Sequence, residues 1–235
     1  YVPMGQTAEN IATRWSIPRT LQEQFALSSH QKAASARASG SFDDELIAIS
    51  HDGIATTEDG CIRPDTTLES MAELSPVFSD EGSVTAATSS PLTDGAAAVI
   101  VCSEDFAMSR GLQPMARIVS GAVTGCPPGI MGIGPVEATK KVLERAAWEL
   151  GSVDLFELNE AFSSQSLAVI DELGLEPAKV NLDGGAIAIG HPLGASGARI
   201  TGKAASLLSR TGSTRAIATM CIGGGMGIAI ALESL

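Results

Sequence analysis

From about residue 115 to the end of the chain, strand-like segments alternate with segments whose apolar residues recur at helical spacing. Strand-like runs lie at 116–119, 155–158, 217–220 and 228–232, and helical patterns lie at 135–150, 162–173 and 198–208. Strands and helices that alternate in this way are typical of a layered α/β core. This half of the chain is therefore predicted to form a sheet with helices packed on it.

The helix predicted at 135–150 shows which of its faces is buried. Val136, Leu143, Ala147 and Leu150 follow one another at spacings of seven, four and three residues, so they share one side of the helix. We expect that side to pack against the sheet.

The first part of the chain is less regular. Two helices are predicted within 1–40, the first capped by Thr7 and the second opened by Pro18. Residues 42–77 mix short apolar runs with turn residues, which predicts a loop-rich region with little continuous core. The run Val84-Thr85-Ala86-Ala87 and the run of small residues Gly95–Cys102 predict buried segments, one of which we expect to be a closely packed helix.

Charge and composition exclude several classes of function. The 235 residues contain 15 Lys and Arg against 27 Asp and Glu, a formal net charge of −12 that disfavours nucleic acid and anionic lipid surfaces as partners. The longest apolar runs fall short of the ~18 residues that span a bilayer, so we expect a soluble protein with no membrane span. The four cysteines lack paired CxxC spacing, which argues against a disulfide framework or a metal site and favours a reducing compartment.

Three short segments carry side chains suited to chemistry. His191 lies among glycines before a predicted helix, Cys221 ends a predicted strand before the glycines of 223–227, and Asn159 follows the strand at 155–158. Each also has a structural interpretation: an incidental histidine in a turn, a buried inert thiol, and a helix N-cap. The glycines of 223–227 lead into a strand and not a helix, which favours a tight strand connection over a dinucleotide-binding loop.

The spacing of these segments suggests that they meet. Asn159 and His191 are 32 residues apart, and His191 and Cys221 are 30 apart, so each can lie on a successive loop at one end of one sheet. An amide, an imidazole and a thiol beside the N–H groups of a glycine loop can supply the base, the acid and the oxyanion donors for acyl chemistry at a carbonyl.

The same segments resemble the three C-terminal motifs of the thiolases. They read Asn159-Glu160-Ala161-Phe162, Gly190-His191-Pro192-Leu193-Gly194-Ala195-Ser196-Gly197 and Cys221-Ile222-Gly223-Gly224-Gly225-Met226-Gly227. Upstream, the segments 4–10, 62–64 and 85–96 resemble the loop region of that family and the end of its first core half. The resemblance covers essentially the whole chain.

Thiolases consist of two similar α/β halves that form a five-layer αβαβα sandwich, with a loop domain that covers coenzyme A. The resemblance implies that residues 1–82 are the loop domain, 83–114 the closing segment of the N-terminal half, and 115–235 the complete C-terminal half. The chain begins at Tyr1 without an initiator Met, and we expect the rest of the N-terminal half, with the nucleophilic cysteine of the family, to be missing upstream or to lie on a separate chain.

The activity implied by the resemblance is that of an acetyl-CoA acetyltransferase or 3-ketoacyl-CoA thiolase. Such an enzyme cleaves 3-ketoacyl-CoA with coenzyme A, or runs the reverse Claisen condensation of two acetyl-CoA molecules. His191 would activate the absent nucleophile, Cys221 would exchange a proton with the acetyl α-carbon, and Asn159 and the Gly223 amide would serve the two oxyanion holes. Coenzyme A is expected as a substrate, with no permanently bound cofactor.

The resemblance also implies residues that contact the substrate. Those expected along the path of coenzyme A and around the acyl group are Arg63, Ser90, Phe78, Met4, Met131, Ala161 and Phe162. Arg63 is the basic group that an acidic protein needs to bind a polyanionic cofactor, and a surface salt bridge is its alternative interpretation.

A thiolase-like module that binds acyl-CoA or a protein partner without catalysis is the alternative function. Ketoacyl synthases, which are related enzymes of decarboxylating condensation, use a second histidine where Cys221 stands, so Cys221 argues against them. The family implies a homodimer or homotetramer. A cytoplasmic location is expected, with an organelle as the alternative, since a targeting segment would lie upstream of Tyr1.

Overall fold

A mixed four-stranded sheet forms the centre of the computed structural model, which describes residues 2–235. The helices are α1 (Met4–Arg14), α2 (Arg19–Ala38), α3 (Leu68–Ala72), α4 (Glu104–Arg110), α5 (Gly134–Ala146), α6 (Ser163–Leu173), α7 (Ala186–Ile189) and α8 (Ser196–Thr211). The strands are β1 (Ile49–His51), β2 (Ile54–Thr56), β3 (Arg117–Gly125), β4 (Leu155–Leu158), β5 (Arg215–Ile222) and β6 (Met226–Glu233).

The four-stranded sheet has the order β3-β6-β5-β4. β6 runs antiparallel to both of its neighbours, whereas β4 and β5 are parallel, with Leu155 opposite Ala216 and Leu158 opposite Thr219. Because β4 and β5 are parallel, their carboxyl ends lie at the same edge of the sheet. A separate hairpin of β1 and β2 turns at Asp52 and Gly53, both of which have positive φ.

Helices cover both faces of this sheet. On one face, α5 and α6 pack on β4, β5 and β6 through residues such as Val142, Val169 and Ile217. On the other, α8 places Ile200 and Leu207 against all three of those strands. The prediction of a layered α/β fold for residues after 115 is thus confirmed, and β4 has the predicted bounds.

The first two helices pack on this α/β unit near the ends of β4 and β5. Ile11 of α1 is buried against Ala168 of α6. α2 contacts α7 through Ala33 and Ala188, and Ala26 packs with Ile187. α1 and α2 therefore lie beside the segments that carry the three motifs.

Two local predictions are wrong. Thr7 does not cap α1, because the helix already begins at Met4, and the Thr7 hydroxyl donates to the Met4 carbonyl at 2.6 Å. Ala147 is not on the buried face of α5, because the helix ends at Ala146 and Ala147 is exposed with a left-handed φ of 55°. Val136 and Leu143 are buried as predicted, and Leu150 is partly buried against the same core.

The prediction for Gly95–Cys102 is also wrong. This segment has no regular secondary structure and is exposed, with Ile100 at 90%. Val99 lies beside α8 at Gly202, but no element within residues 2–235 covers the outer side of the run. Its apolar composition suits burial, and burial requires a second layer that these residues do not provide.

None of the helices within residues 2–235 has the length and apolar content needed to span a bilayer.

Candidate active site

The carboxyl ends of β4 and β5 bring two of the three motifs together. Asn159 follows β4 directly, and its amide N–H donates to the Thr219 carbonyl of β5 at 3.0 Å, which continues the parallel ladder by one step. Cys221 lies two residues farther along β5. Gly223–Gly225 then join β5 to β6 as a tight turn, so the predicted strand connection is confirmed.

The third motif reaches the same place from the loop between α7 and α8. Gly190 has a φ of 97°, in the left-handed region, and a Cβ there would lie 2.7 Å from the Thr93 hydroxyl oxygen. Both the backbone conformation and the close approach of Thr93 therefore favour glycine at this position. The next amide, that of His191, donates to the Pro91 carbonyl at 3.3 Å. An open cleft of about 460 Å³ lies between residues 92–95 and 191–194.

The His191 ring is held at both of its nitrogens. Nε2 lies 3.3 Å from Nδ2 of Asn159, and Nδ1 lies 2.6 Å from the hydroxyl oxygen of Ser196. The Ser196 hydroxyl has one proton and donates it to the Pro192 carbonyl at 3.0 Å. Nδ1–H of the neutral ring therefore donates to Ser196, and Nε2 keeps a lone pair that accepts from Asn159. Sequence reasoning did not predict this role of Ser196, although Ser196 lies within the histidine motif.

The surroundings of His191 favour its neutral form. Burial lowers the pKa of the imidazole below its usual value, and the charge of Arg199 lowers that pKa further. An imidazole that stays neutral can act as a base at Nε2 near neutral pH.

Asn159 does not cap α6, whose N-cap is Phe162. The Oδ1 atom of Asn159 is buried without a hydrogen-bond partner in the described part of the chain.

Cys221 is buried in an apolar cluster beside this pair. We call this group the site cluster, and its buried members are Ala8, Val84, Met131, Ala161, Phe162 and Cys221. Burial, the largest effect on the thiol, raises the pKa of Cys221 to about 12. Cys221 is thus held as a neutral thiol in the described structure.

The residues predicted around the acyl group, and two of those predicted along the path of coenzyme A, lie in or beside the site cluster. Met131, Ala161 and Phe162 belong to it, and the Phe78 ring packs edge-on against Phe162 with the ring centres 6.0 Å apart. Ser90 donates to the Ala161 carbonyl from both its amide and its hydroxyl, each at 3.0 Å. The structure therefore gathers these five residues at one place.

The two remaining predicted contacts are exposed residues outside the site cluster. Met4 is half-exposed at the start of α1, with its sulfur near Gly223. Arg63 is exposed and forms no ion pair within residues 2–235, and its backbone amide donates to Nδ1 of the buried His30 at 3.2 Å. The salt-bridge interpretation of Arg63 is thus wrong for the described residues, and its guanidinium faces solvent.

Sequence reasoning missed a buried polar network beside Asn159. Glu160 accepts from Ser29, Asn181 and the Ile187 amide, and only the position of Glu160 within the first motif pointed to it.

Over the described residues, no group of three or more His, Cys, Asp or Glu side chains is arranged to hold a metal ion.

Fold and site together define a layered α/β protein with a histidine, an amide and a thiol gathered at one edge of its sheet. The family model described as "Thiolase, C-terminal domain" matches residues 112–234, and that described as "Thiolase, N-terminal domain" matches residues 1–105. The chain belongs to the thiolase family.

Relatives and solved structures agree with this assignment. The chain is 50% identical to an acetyl-CoA acetyltransferase of Shinella zoogloeoides over 99% of its length and 60% of that protein. It is 52% identical to a 3-ketoacyl-CoA thiolase of Aliivibrio fischeri over 98% of its length and 62% of that protein. The crystal structure of human mitochondrial 3-ketoacyl-CoA thiolase in complex with CoA superposes with a TM-score of 0.95 at 44% identity, covering 100% of this chain and 59% of that one. The chain thus spans about three fifths of the length of these relatives.

Proposed function

We propose that this chain supplies the histidine, amide and second-cysteine part of a thiolase active site. The reaction is cleavage of a 3-ketoacyl-CoA by coenzyme A into acetyl-CoA and a shortened acyl-CoA, or the reverse condensation. The observation that carries the proposal is the contact between Asn159 and Nε2 of His191, which lies where the parallel strands β4 and β5 end. Relatives named as acetyl-CoA acetyltransferase and 3-ketoacyl-CoA thiolase support it.

In this proposal, His191 is the general base. Its Nε2 gives up the bond that it accepts from Asn159 and takes the proton of a nucleophilic cysteine thiol, which an upstream segment or a second chain would provide. The thiolate attacks the keto carbon, and the bond between that carbon and the α-carbon breaks, so the acyl group remains on the enzyme as a thioester. Coenzyme A then takes the acyl group and releases the cysteine.

Cys221 is the acid in the direction of cleavage. The departing acetyl-CoA enolate needs a proton at its α-carbon, and a thiol with a pKa raised to about 12 carries that proton at neutral pH. In the direction of condensation, the same atom must remove a proton. Closure of the site around a bound substrate would then have to lower the pKa of Cys221.

Oxyanions need donors at two positions. His191, once protonated, and a water bound by Asn159 would face the enolate oxygen, and the unpaired Asn159 Oδ1 leaves that side chain free to bind a water. The Gly223 amide, on the turn that follows β5, would face the thioester oxygen together with the amide of the nucleophilic cysteine. Each donor is worth about 2.7–4 kcal/mol of transition-state stabilisation in comparable sites.

For coenzyme A, the exposed Arg63 is the basic group proposed to meet phosphate, with Ser90, Phe78 and Met4 along the chain of the ligand. Met131, Ala161 and Phe162 would surround the acyl group. We propose residues 1–82 as the domain that covers coenzyme A, 83–114 as the end of the N-terminal half and 115–235 as the C-terminal half. A cytoplasmic homodimer or homotetramer remains part of the proposal.

A fusion protein tests the activity. The upstream part of the Shinella zoogloeoides relative, joined to this chain, is expected to cleave acetoacetyl-CoA when coenzyme A is added. His191→Ala is expected to lower turnover by at least roughly 100-fold, because the base is lost. Cys221→Ala is expected to keep acyl exchange between thioesters and to lose carbon–carbon cleavage.

Lys140→Ala, at an exposed position of α5, serves as the matched control and is expected to keep full turnover. Equal turnover of the His191→Ala fusion would contradict the assignment of the base. A folded fusion that binds coenzyme A but exchanges no acyl group would favour the alternative, a non-catalytic acyl-CoA-binding module.

A further inference from the structure

Glu160 is a buried carboxylate immediately next to Asn159. Only 2% of the residue is exposed, and its two oxygens accept three hydrogen bonds from three different parts of the chain. The Ser29 hydroxyl of α2 donates at 2.6 Å, Nδ2 of Asn181 at 2.8 Å, and the Ile187 amide of α7 at 3.2 Å. Burial raises the pKa of Glu160, whereas these donors and the charge of Lys32 oppose that rise.

Asn181 links Glu160 to the end of β4. Its Oδ1 accepts from the Leu158 amide and its Nδ2 donates to the Leu158 carbonyl, both at 2.8 Å, so one side chain pairs with the backbone as a neighbouring strand would. The residue has a left-handed φ of 47°, a conformation that asparagine tolerates better than most residues. The last residue before Asn159 is therefore held on both of its backbone groups.

The other side of Glu160 reaches the segment that leads to His191. The Ser29 hydroxyl accepts from the Gly185 amide at 3.0 Å and donates to Glu160. A Cβ at Gly185 would overlap the carboxyl group of Glu160, so the close approach of these segments requires glycine. From Ile187, the chain continues through Gly190 to His191.

We propose that Glu160 is a positioning residue, whose carboxylate fixes the loop of Asn159 against the segment of His191 so that the amide of one reaches Nε2 of the other. The inference rests on the proposed function, because that function gives the Asn159–His191 contact its role. Over the described residues, Glu160 forms no hydrogen bond with His191 and does not line the cleft at residues 191–194.

A glutamine cannot replace this carboxylate. The glutamine side chain has one oxygen and one NH2 group, and three donors already point at the position that Glu160 occupies. With its oxygen towards Ser29 and Ile187, its NH2 group would face Nδ2 of Asn181. Asn181 cannot turn over without losing both of its bonds to Leu158.

The experiment follows the His191 ring by 15N NMR in the full 235-residue chain, across a pH titration. In the wild type, Asn159 donates to the unprotonated Nε2, which favours the neutral ring. Loss of that bond in Glu160→Gln is expected to raise the pKa of His191 by about half a pH unit, and Asn159→Ala should match it. Glu144→Gln, at an exposed position of α5, is the control and should leave the pKa unchanged.

Ser29→Ala keeps the carboxylate and removes one donor, so it serves if Glu160→Gln fails to fold. It is expected to shift the pKa of His191 in the same direction by a smaller amount. A purely structural role would lower the stability of these variants and leave the imidazole pKa unchanged, and that result would overturn the proposal. Coenzyme A binding by the wild-type chain is measured separately, because its absence would contradict the proposed function and not the positioning role.

Discussion

Cys221 and Glu157 show how burial sets the chemistry of single residues in this chain. The two residues lie on neighbouring strands: Cys221 is in the site cluster on β5, and Glu157 is on β4, only 1% exposed. Burial is the largest effect on each, and it raises the pKa of Cys221 to about 12 and of Glu157 to about 8. The neutral form is favoured in both.

Alkylation tests the state of Cys221. With a pKa of about 12, roughly one Cys221 thiol in ten thousand is ionised at pH 8, and the thiolate is the reactive form. We expect iodoacetamide to modify Cys221 at least about 100-fold more slowly than the exposed Cys102, as measured by peptide mass spectrometry over time. Comparable rates at the two cysteines in the folded chain would show that Cys221 is not buried as a neutral thiol.

A second test concerns Glu157. Its folded-state pKa is about 8 and its usual value is 4.5, so the folded chain binds a proton that the unfolded chain has released across that range. The stabilising contribution is complete below pH 4.5 and is lost as the pH rises towards 8. Glu157→Gln, which stays neutral, is expected to have a higher free energy of unfolding than the wild type at about pH 8.5.

Urea denaturation at about pH 5 and about pH 8.5 measures this effect. The advantage of Glu157→Gln should be much smaller at the lower pH, where Glu157 is protonated in the folded chain. Glu149→Gln, at an exposed position, should follow the wild type at both pH values. A variant less stable than the wild type at the higher pH would mean that Glu157 is ionised and stabilised by Arg199 and Lys203.

At the scale of elements, sequence patterns predicted segments well where local spacing and packing agree. β4 has the predicted bounds, and α8 contains the predicted helix with additional residues at both ends. The error at Gly95–Cys102 arose because small apolar residues indicate burial without indicating what buries them. The network of Ser29, Glu160 and Asn181 joins residues up to 152 positions apart, and no local pattern shows such contacts.

The junction of α5 and β6 depends on two glycines. A Cβ at Gly227 would overlap the Gly134 carbonyl group, and Gly227 pairs directly with Cys221 across the sheet. Gly227→Ala is therefore expected to lower the free energy of unfolding by about 1–3 kcal/mol, the usual cost of overpacking. Gly151→Ala is the matched control, because nothing lies within 4 Å of its Cβ position. Equal stability of the two variants in urea denaturation would contradict this close contact.

At the scale of the whole molecule, an ion pair between the buried Lys203 and Glu45 joins the early loop region to the α/β unit. Lys203 of α8 contacts Glu45 at 2.9 Å and Asp183 at 2.5 Å, and Arg210 of the same helix binds Asp183 at 2.7 Å. The sequence motifs indicated where Asn159, His191 and Cys221 lie. No local motif indicates the ion pair of Lys203 with Glu45 or the position of Arg63 beside His30, because these residues are far apart in the sequence and meet only in the folded chain.

Arg63 is the whole-molecule test for the coenzyme A path. Its guanidinium is exposed and unpaired within residues 2–235, so it can bind phosphate without breaking an ion pair. Arg63→Ala is expected to weaken coenzyme A binding by about tenfold, the loss of one charge-assisted hydrogen bond. Calorimetry measures the change, with Arg14→Ala, another exposed arginine, as the control. Equal affinities would place the phosphates elsewhere.

The three histidines of the chain can report directly on whether these residues form an acyl-CoA site. Acetoacetyl-CoA is titrated into the 15N-labelled chain while the imidazole nitrogens are observed by NMR. We expect a saturable shift of Nε2 of His191, while His51, which is exposed on the β1–β2 hairpin, stays unchanged. A His191 resonance that does not move at saturating ligand, or that moves only as much as that of His51, would contradict the assignment of an acyl-CoA site to these residues.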